Sequence, residues 1–326
     1  MKGQEPDAIS DIIRDNELIA LPKGESDIRP IGIGFTIRKI TSMIAFRRLK
    51  DFNLRHFGSS QFALARNGCE NVIHSLVSAK AENPTWDMLC LDADNAFNRA
   101  NRIKGLLEVH KHAPEMLPFL KEMYFCISRG WYFGRNDGIS SVNSSNGFHQ
   151  GDVLASWLYV MTIQPLLKMI DEVISEDNVD CVNNWYADDG NILAPFPTMK
   201  KIVEILHVHG PSFGYFMKKN KGAYVVGIDT RENSLQRTEY FNQNYNFDPT
   251  IFKHHPSTNL TDDSNYGCKV LGSYIGSSSF IQKGLKSYIN DLERNGEELI
   301  AYPNLQGRMN LFLKCFCTKP LFLLRT

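Results

Sequence analysis

Tyr186-Ala187-Asp188-Asp189 places two adjacent carboxylates between two strand-like runs, Asp180-Cys-Val-Asn-Asn-Trp185 before it and Ile192-Leu-Ala-Pro-Phe196 after Gly190 and Asn191. Two short apolar-bearing runs separated by a tight polar break read as a β-hairpin, here with an acidic tip. Side chains alternate faces along a strand, so one aspartate can aim into a cleft while its neighbour sits at the turn. Two like charges this close resist joint ionisation unless a cation lies between them. A bound divalent metal would relieve the repulsion. Asp-Asp-Gly is also ordinary turn chemistry, so the tetrapeptide alone leaves both readings open.

A second acidic element lies upstream. Trp86-Asp-Met-Leu-Cys-Leu91 reads as a strand and runs directly into Asp92-Ala93-Asp94-Asn95-Ala96-Phe97-Asn98. A carboxylate ending one strand, beside a carboxylate pair ending another, is the minimum geometry for holding two hard cations about 3.5 to 4 Å apart. Such a site serves phosphoryl transfer. Between these elements sits Asn146-Gly147-Phe148-His149-Gln150-Gly151-Asp152, followed by a largely apolar helical stretch from Ala155 to Ile170. Glycines at 147 and 151 allow close backbone approach to a flat ligand, and Asp152 is placed to cap the helix.

In this order, Asp92-x-x-x-Ala-Phe97, Gly147-x-x-Gln150-Gly151-Asp152 and Tyr186-Ala-Asp-Asp189 resemble the A, B and C motifs of the reverse transcriptase palm. The resemblance extends to Ile28-Arg29-Pro30-Ile31, to Ser60-Gln61-Phe62 with Gly68-Cys-Glu70, to Phe213-Gly214 through Lys221 as motif D, and to Val270-Leu271-Gly272 as motif E. It covers roughly residues 18 to 280 and is nearest to non-LTR retrotransposon polymerases. It implies an α+β, right-hand polymerase fold, with an antiparallel sheet packed on helices. The implied activity is RNA-directed DNA synthesis, in which a primer 3′-hydroxyl is extended with deoxynucleotides on an RNA template.

The resemblance also implies roles. Asp92 and Asp188, with the carbonyl of Ala93 and assistance from Asp189, would hold two Mg2+ ions, for which Mn2+ can substitute. Lys23 and Arg29 would neutralise the triphosphate, and Lys221 would protonate leaving pyrophosphate. Lys218 stands where the family pattern often has asparagine, and Lys219 lies close enough to substitute for Lys221. Gln150 would face the templating base pair, with Gly147 and Gly151 giving it room, and Phe97 would close the space beneath the sugar. Leu271 and Gly272 would turn a hairpin gripping a DNA or RNA primer. Two rivals stay in view. An RNA-dependent RNA polymerase would usually carry a carboxylate where Phe97 stands. A catalytically inactive palm kept as an RNA-binding scaffold would typically lack the aspartates.

Composition is compatible with this reading without demanding it. The 326 residues are 43% hydrophobic and 22% charged, so a large core can form, and 36 basic residues balance 36 acidic ones. Cations concentrate early: Lys23, Arg29, Arg38, Lys39, Arg47, Arg48, Lys50, Arg55 and Arg66 face only Glu25, Asp27 and Asp51. That surplus suits phosphate, although most of it reads as the solvated face of a helix from Thr36 to His56 that buries Ile37, Ile40, Ile44 and Leu49. Seven cysteines without regular spacing suggest reduced thiols and a soluble, intracellular setting, with no apolar run near the length of a membrane span. Cys315-x-Cys317 and the histidine pairs read as structural.

By organisation, residues 1–84 are expected to form fingers. The palm is expected at 85–282, with a return to the fingers at 101–146 and an extended polar insertion at 228–266. The start of a thumb is expected at 283–326, in a chain that is a fragment or a truncated element.

Overall fold

The computed structural model describes residues 7–23, 27–57, 60–134 and 138–326. Its strands are β1 (Asn16–Lys23), β2 (Asp27–Gly34), β3 (Asp87–Leu91), β4 (Ser128–Phe133), β5 (Ile139–Ser144), β6 (Val182–Tyr186), β7 (Asp189–Ala194), β8 (Ala223–Val225), β9 (Phe252–Lys253), β10 (Gly267–Val270) and β11 (Ser273–Gly276). The chain divides into two compact units that interleave in sequence. One comprises Met1–Ala65, Ala93–Val173 and Ile202–Met217; the other comprises Arg66–Asp92, Ile174–Lys201 and Lys218–Thr326. This is the α+β architecture expected, with antiparallel sheet packed on helices.

The first unit is built on a sheet of order β2-β1-β4-β5. β1 and β2 pair antiparallel from Asn16↔Gly34 to Lys23↔Asp27, and β4 joins β1 in parallel at Asn16↔Gly130. The helix Ala155–Glu176 buries Trp157 through Gln164, Leu166, Leu167 and Ile170, an all-round apolar surface that marks a core helix.

One expectation fails here. Thr36–Arg48 and Lys50–His56 are two helices meeting at Leu49, and only Leu49 of the four expected core residues is buried. Ile37, Ile40 and Ile44 are 54%, 49% and 50% exposed, while Arg38 and Ser42 face inward. The Arg38 guanidinium causes the inversion. It pairs with Asp152 and also donates to the carbonyls of Ile13 and Arg14 and to Asn16 Oδ1. A buried charge so fully bonded outweighs the burial of half-covered isoleucines.

The second unit is built on a sheet of order β6-β7-β3-β8-β9, antiparallel except for the β8–β9 pair. β3 is central and buried along its whole length, which suits its apolar run. The helix Gly68–Glu82, expected with residues 1–84, lies in this unit, where it packs on β6 and β7 and buries Val72, Ile73 and Leu76.

The polar stretch 228–266 is not extended. It holds the helix Arg231–Tyr245, capped by the Thr230 hydroxyl accepting from Asn233 N, and then adds β9 to the sheet edge. Arg237 anchors the helix by pairing with Asp229 and with Asp87, which is fully buried and also accepts from Tyr224 Oη (2.7 Å) and Gly227 N (2.8 Å). Past β11 the chain is helical, beginning with Ser278–Ala301. No helix among the described residues is long and apolar enough to cross a membrane.

Candidate active site

Strand register assembles the acidic centre. β6 and β7 close with the pair Tyr186↔Asp189, which leaves Ala187 and Asp188 as a two-residue loop. Ala187 takes φ +54°, a left-handed value usual for glycine in such loops, so the tip holds a locally unfavourable conformation. Gly190 follows because the buried Trp185 ring lies across it: a Cβ there would fall 2.8 Å from that ring. β3 pairs with β7 through Leu91↔Gly190, so the residue after β3, Asp92, arrives beside Asp189. Carboxylate oxygens of Asp92, Asp188 and Asp189 all lie within 4.8 Å of one another.

These carboxylates are held in a repulsive arrangement. Burial pushes the Asp189 carboxyl up to about 7, with the negative charges of Asp188 and Asp92 adding to the rise. Asp188 is raised by the same causes, burial first and then Asp92. Two lysines offset part of this. The ammonium of Lys221 contacts Asp92, and that of Lys218 stands 3.5 Å from the same oxygen. That Asp92 oxygen is shielded from solvent and is met by both ammonium groups. Three crowded carboxylates are a donor set for a hard divalent cation.

The backbone holds these lysines in place. Lys218 N donates to Asp92 O at 2.9 Å, and the chain turns through Gly222 at φ +99°, where a side chain would strike the Cys90 carbonyl. A cleft of about 420 Å3 opens beside Asp92, Asp189 and Lys221, with Leu271 on its wall. Leu271 and Gly272, at φ +48° and +101°, form the two-residue turn between β10 and β11, closed by Val270↔Ser273.

Another group of expected residues lies in the first unit. Gly147 adopts φ +66°, and a Cβ on it would lie 2.5 Å from the Phe97 carbonyl oxygen and closer still to that of Asn98. Phe148 N donates to Phe97 O at 2.7 Å, so the loop is seated on the turn that carries Phe97. The Phe97 ring is half-buried and stacks on Tyr159, with centroids 5.2 Å apart. Gln150 O accepts from Gly32 N at 2.7 Å, and Gly151 packs directly on Gly32, while Gln150 Oε1 is buried without a hydrogen-bond partner. Asp152 Oδ1 caps the long helix by accepting from Leu154 N at 2.8 Å, and its other oxygen pairs with Arg38.

Arg29 lies exposed in β2, and Ala93 bridges to Met217. Lys23 ends β1, but its side chain lies outside the described residues. Sequence reasoning missed Arg38 as the buried partner of the 147–152 loop, and it undervalued Lys218. The only local signal for Lys218 was a second lysine three residues before Lys221.

Comparison with known proteins bears on the fold and the family. The chain superposes on telomerase from Candida albicans in complex with a TWJ fragment of telomeric RNA, with a TM-score of 0.58 and 11% identity, over 84% of this chain and 47% of that one. Apo telomerase from Candida tropicalis truncated from its C-terminal domain gives a TM-score of 0.51 at 11% identity, over 67% of this chain and 51% of the other. At such identities the likeness is one of fold, and the chain spans about half the length of these relatives. No curated protein sequence matches. The family described as reverse transcriptase (RNA-dependent DNA polymerase) matches residues 21–275, most of the chain. This protein belongs to the reverse transcriptase family.

Proposed function

We propose that the chain is an RNA-directed DNA polymerase, of non-LTR retroelement type, that extends a primer 3′-hydroxyl with deoxynucleotides copied from an RNA template. The observation that carries this reading is the convergence of Asp92, Asp188 and Asp189 with two lysines at the end of the palm sheet of a family member.

Asp92, Asp188 and the Ala93 carbonyl, assisted by Asp189, would hold two Mg2+ ions, or Mn2+ in their place. Bound there, the ions supply Lewis-acid activation of the 3′-hydroxyl and stabilise charge on the triphosphate. The chain's own groups do the rest. Lys221 Nζ would give a proton to departing pyrophosphate. Arg29 would offer a planar fork to the β and γ phosphates, and Lys23 would add a second positive charge. Gln150 Oε1, an unused acceptor, would meet the nascent base pair. Phe97, stiffened by Tyr159, would fill the space a 2′-hydroxyl needs, which favours deoxynucleotides over ribonucleotides. The Leu271–Gly272 turn would hold the primer end.

Primer extension on a poly-rA template with an oligo-dT primer, with and without Mg2+, tests this. Mg2+-dependent incorporation of dTTP, with UTP a poor substitute, is expected. No incorporation under any divalent ion, or equal use of UTP, would contradict the reading.

A further inference from the structure

Seven cysteines are scattered through the chain, and the two that are buried meet each other. Cys90 lies in β3 and Cys268 in β10, and their sulfurs stand 3.2 Å apart, with one thiol donating to the other. Both also line the cleft beside Asp92 and Asp189, where 8% and 4% of their surface stays open to a molecule as small as peroxide. None of the roles above uses them. Any small apolar residue would fill the same space, since a free cysteine packs as one, but only a thiol pair adds a reaction.

A soft metal ion and a disulfide both suit paired thiols. A structural zinc site needs four ligands drawn from cysteine, histidine and carboxylate. Among the described residues, Asp92, Asp188 and Asp189 are the one group of three or more such residues close enough to share an ion, and neither thiol belongs to it. The pair is left with the bond between its own sulfurs.

Its position gives that bond a consequence. β10 and β11 form a two-stranded sheet of their own, outside the five-stranded sheet that contains β3. Side chains hold the hairpin in place, among them Tyr266 Oη, which donates to the Val226 carbonyl at 2.9 Å, and Cys268 against Cys90. Cys90 precedes Asp92 by two residues, and Cys268 precedes Leu271 by three. A covalent link here ties the strand that delivers Asp92 to the hairpin that carries the Leu271–Gly272 turn.

We propose that Cys90 and Cys268 are a site of reversible oxidation, at which hydrogen peroxide closes a disulfide that slows primer extension. Each thiol gives up its proton and one electron, the S–S bond forms, the O–O bond of peroxide breaks, and two waters leave. The hydrogen bond to Cys268, and then burial, raise the Cys90 thiol well above its ordinary value, so Cys268 attacks peroxide and Cys90 closes the bond. A thiol reductant reverses the step. Drawing the sulfurs into bonding distance moves the hairpin and the end of β3 toward each other, and a shift of about 1 Å in a positioned group costs on the order of 100-fold in rate. The effect on extension rests on the polymerase reading above; formation of the disulfide does not.

The full chain is treated with hydrogen peroxide, freed of it with catalase, alkylated with iodoacetamide under denaturing conditions and mapped by peptide mass. A linked pair of peptides containing Cys90 and Cys268, two hydrogens lighter than the separate peptides, is expected, and dithiothreitol before alkylation should abolish it. Mg2+-dependent extension by the oxidised chain should fall at least about tenfold and recover on reduction. Cys268→Ala and Cys90→Ala should each extend primers before treatment and keep their own rate after it. Absence of the linked pair at a peroxide dose that oxidises the exposed Cys126 would overturn the assignment. So would a disulfide that leaves extension unchanged, or an equal loss of extension in the variants. A chain that forms the disulfide but extends no primer, oxidised or reduced, overturns the polymerase reading and with it the effect on extension, and leaves the oxidation site in place.

Discussion

Lys218 meets Asp92 twice: its backbone N–H donates to the Asp92 carbonyl at 2.9 Å, and its ammonium stands 3.5 Å from the Asp92 carboxylate. With Lys221 on the same oxygen, two ammonium groups offset part of the charge of the three carboxylates. Each lysine therefore competes with a divalent ion for Asp92. Lys221→Gln should lower the Mg2+ concentration giving half-maximal thermal stabilisation by roughly two- to fivefold, the worth of one partly exposed pair. The same variant should slow extension. Weaker Mg2+ binding in the variant would show that the lysine supports the ion and does not compete with it.

Phe97 lies five residues after Asp92 and stacks on Tyr159. Phe97→Ala should raise the ratio of ribonucleotide to deoxynucleotide specificity constants by at least about tenfold, while slowing both, because the enlarged space also loosens the correct sugar. An unchanged ratio with lost stability would reduce Phe97 to a packing residue and reopen the RNA polymerase reading.

Gly147 is positive in φ and has backbone oxygens where a side chain would go. Gly147→Ala should cost about 1–3 kcal/mol in urea unfolding and depress activity, because the loop carrying Gln150 must lift off the Phe97 turn. Gly138→Ala, where a Cβ would meet nothing within 4 Å, should do neither.

His149 accepts at Nδ1 from the Asn16 amide (2.7 Å) and donates from Nε2 to Ser128 Oγ (2.9 Å), roles set by Asn16 Oδ1 already receiving Arg38. The ring is thus held neutral. Burial, and then the charges of Arg38 and Arg102, bring it from 6.5 down to about 4. A base depressed by folding contributes stability that is full above pH 6.5 and is lost as pH falls toward 4, about 3 kcal/mol in all. His149→Gln should flatten the fall in unfolding free energy across that window. A wild-type stability that rises on acidification through it would contradict the neutral assignment.

The features legible in the sequence are those decided locally. The Asp188 hairpin, the Leu271–Gly272 turn and the helix cap at Asp152 each depend on residues within a few positions, and strand register then places Asp92 beside Asp189. Arg38 was illegible because its partner Asp152 is 114 residues away, and that pairing turns Ile37, Ile40 and Ile44 outward against their periodicity. The helix Arg231–Tyr245 was hidden by its polar composition. Its buried side, Ser234, Arg237, Phe241 and Tyr245, does recur at helical spacing after the Thr230 cap, but one of its anchors is a charge whose partner, Asp87, sits in another strand.

Asp188→Ala compared with wild type, with primer extension and primer–template binding measured on the same preparations, tests the central claim most directly. Loss of one metal-holding carboxylate removes stabilisation that exists mainly in the transition state, so extension should fall by at least about 1,000-fold while binding changes less than about threefold. Extension near the wild-type rate would contradict the assignment of Asp92, Asp188 and Asp189 as the catalytic metal site.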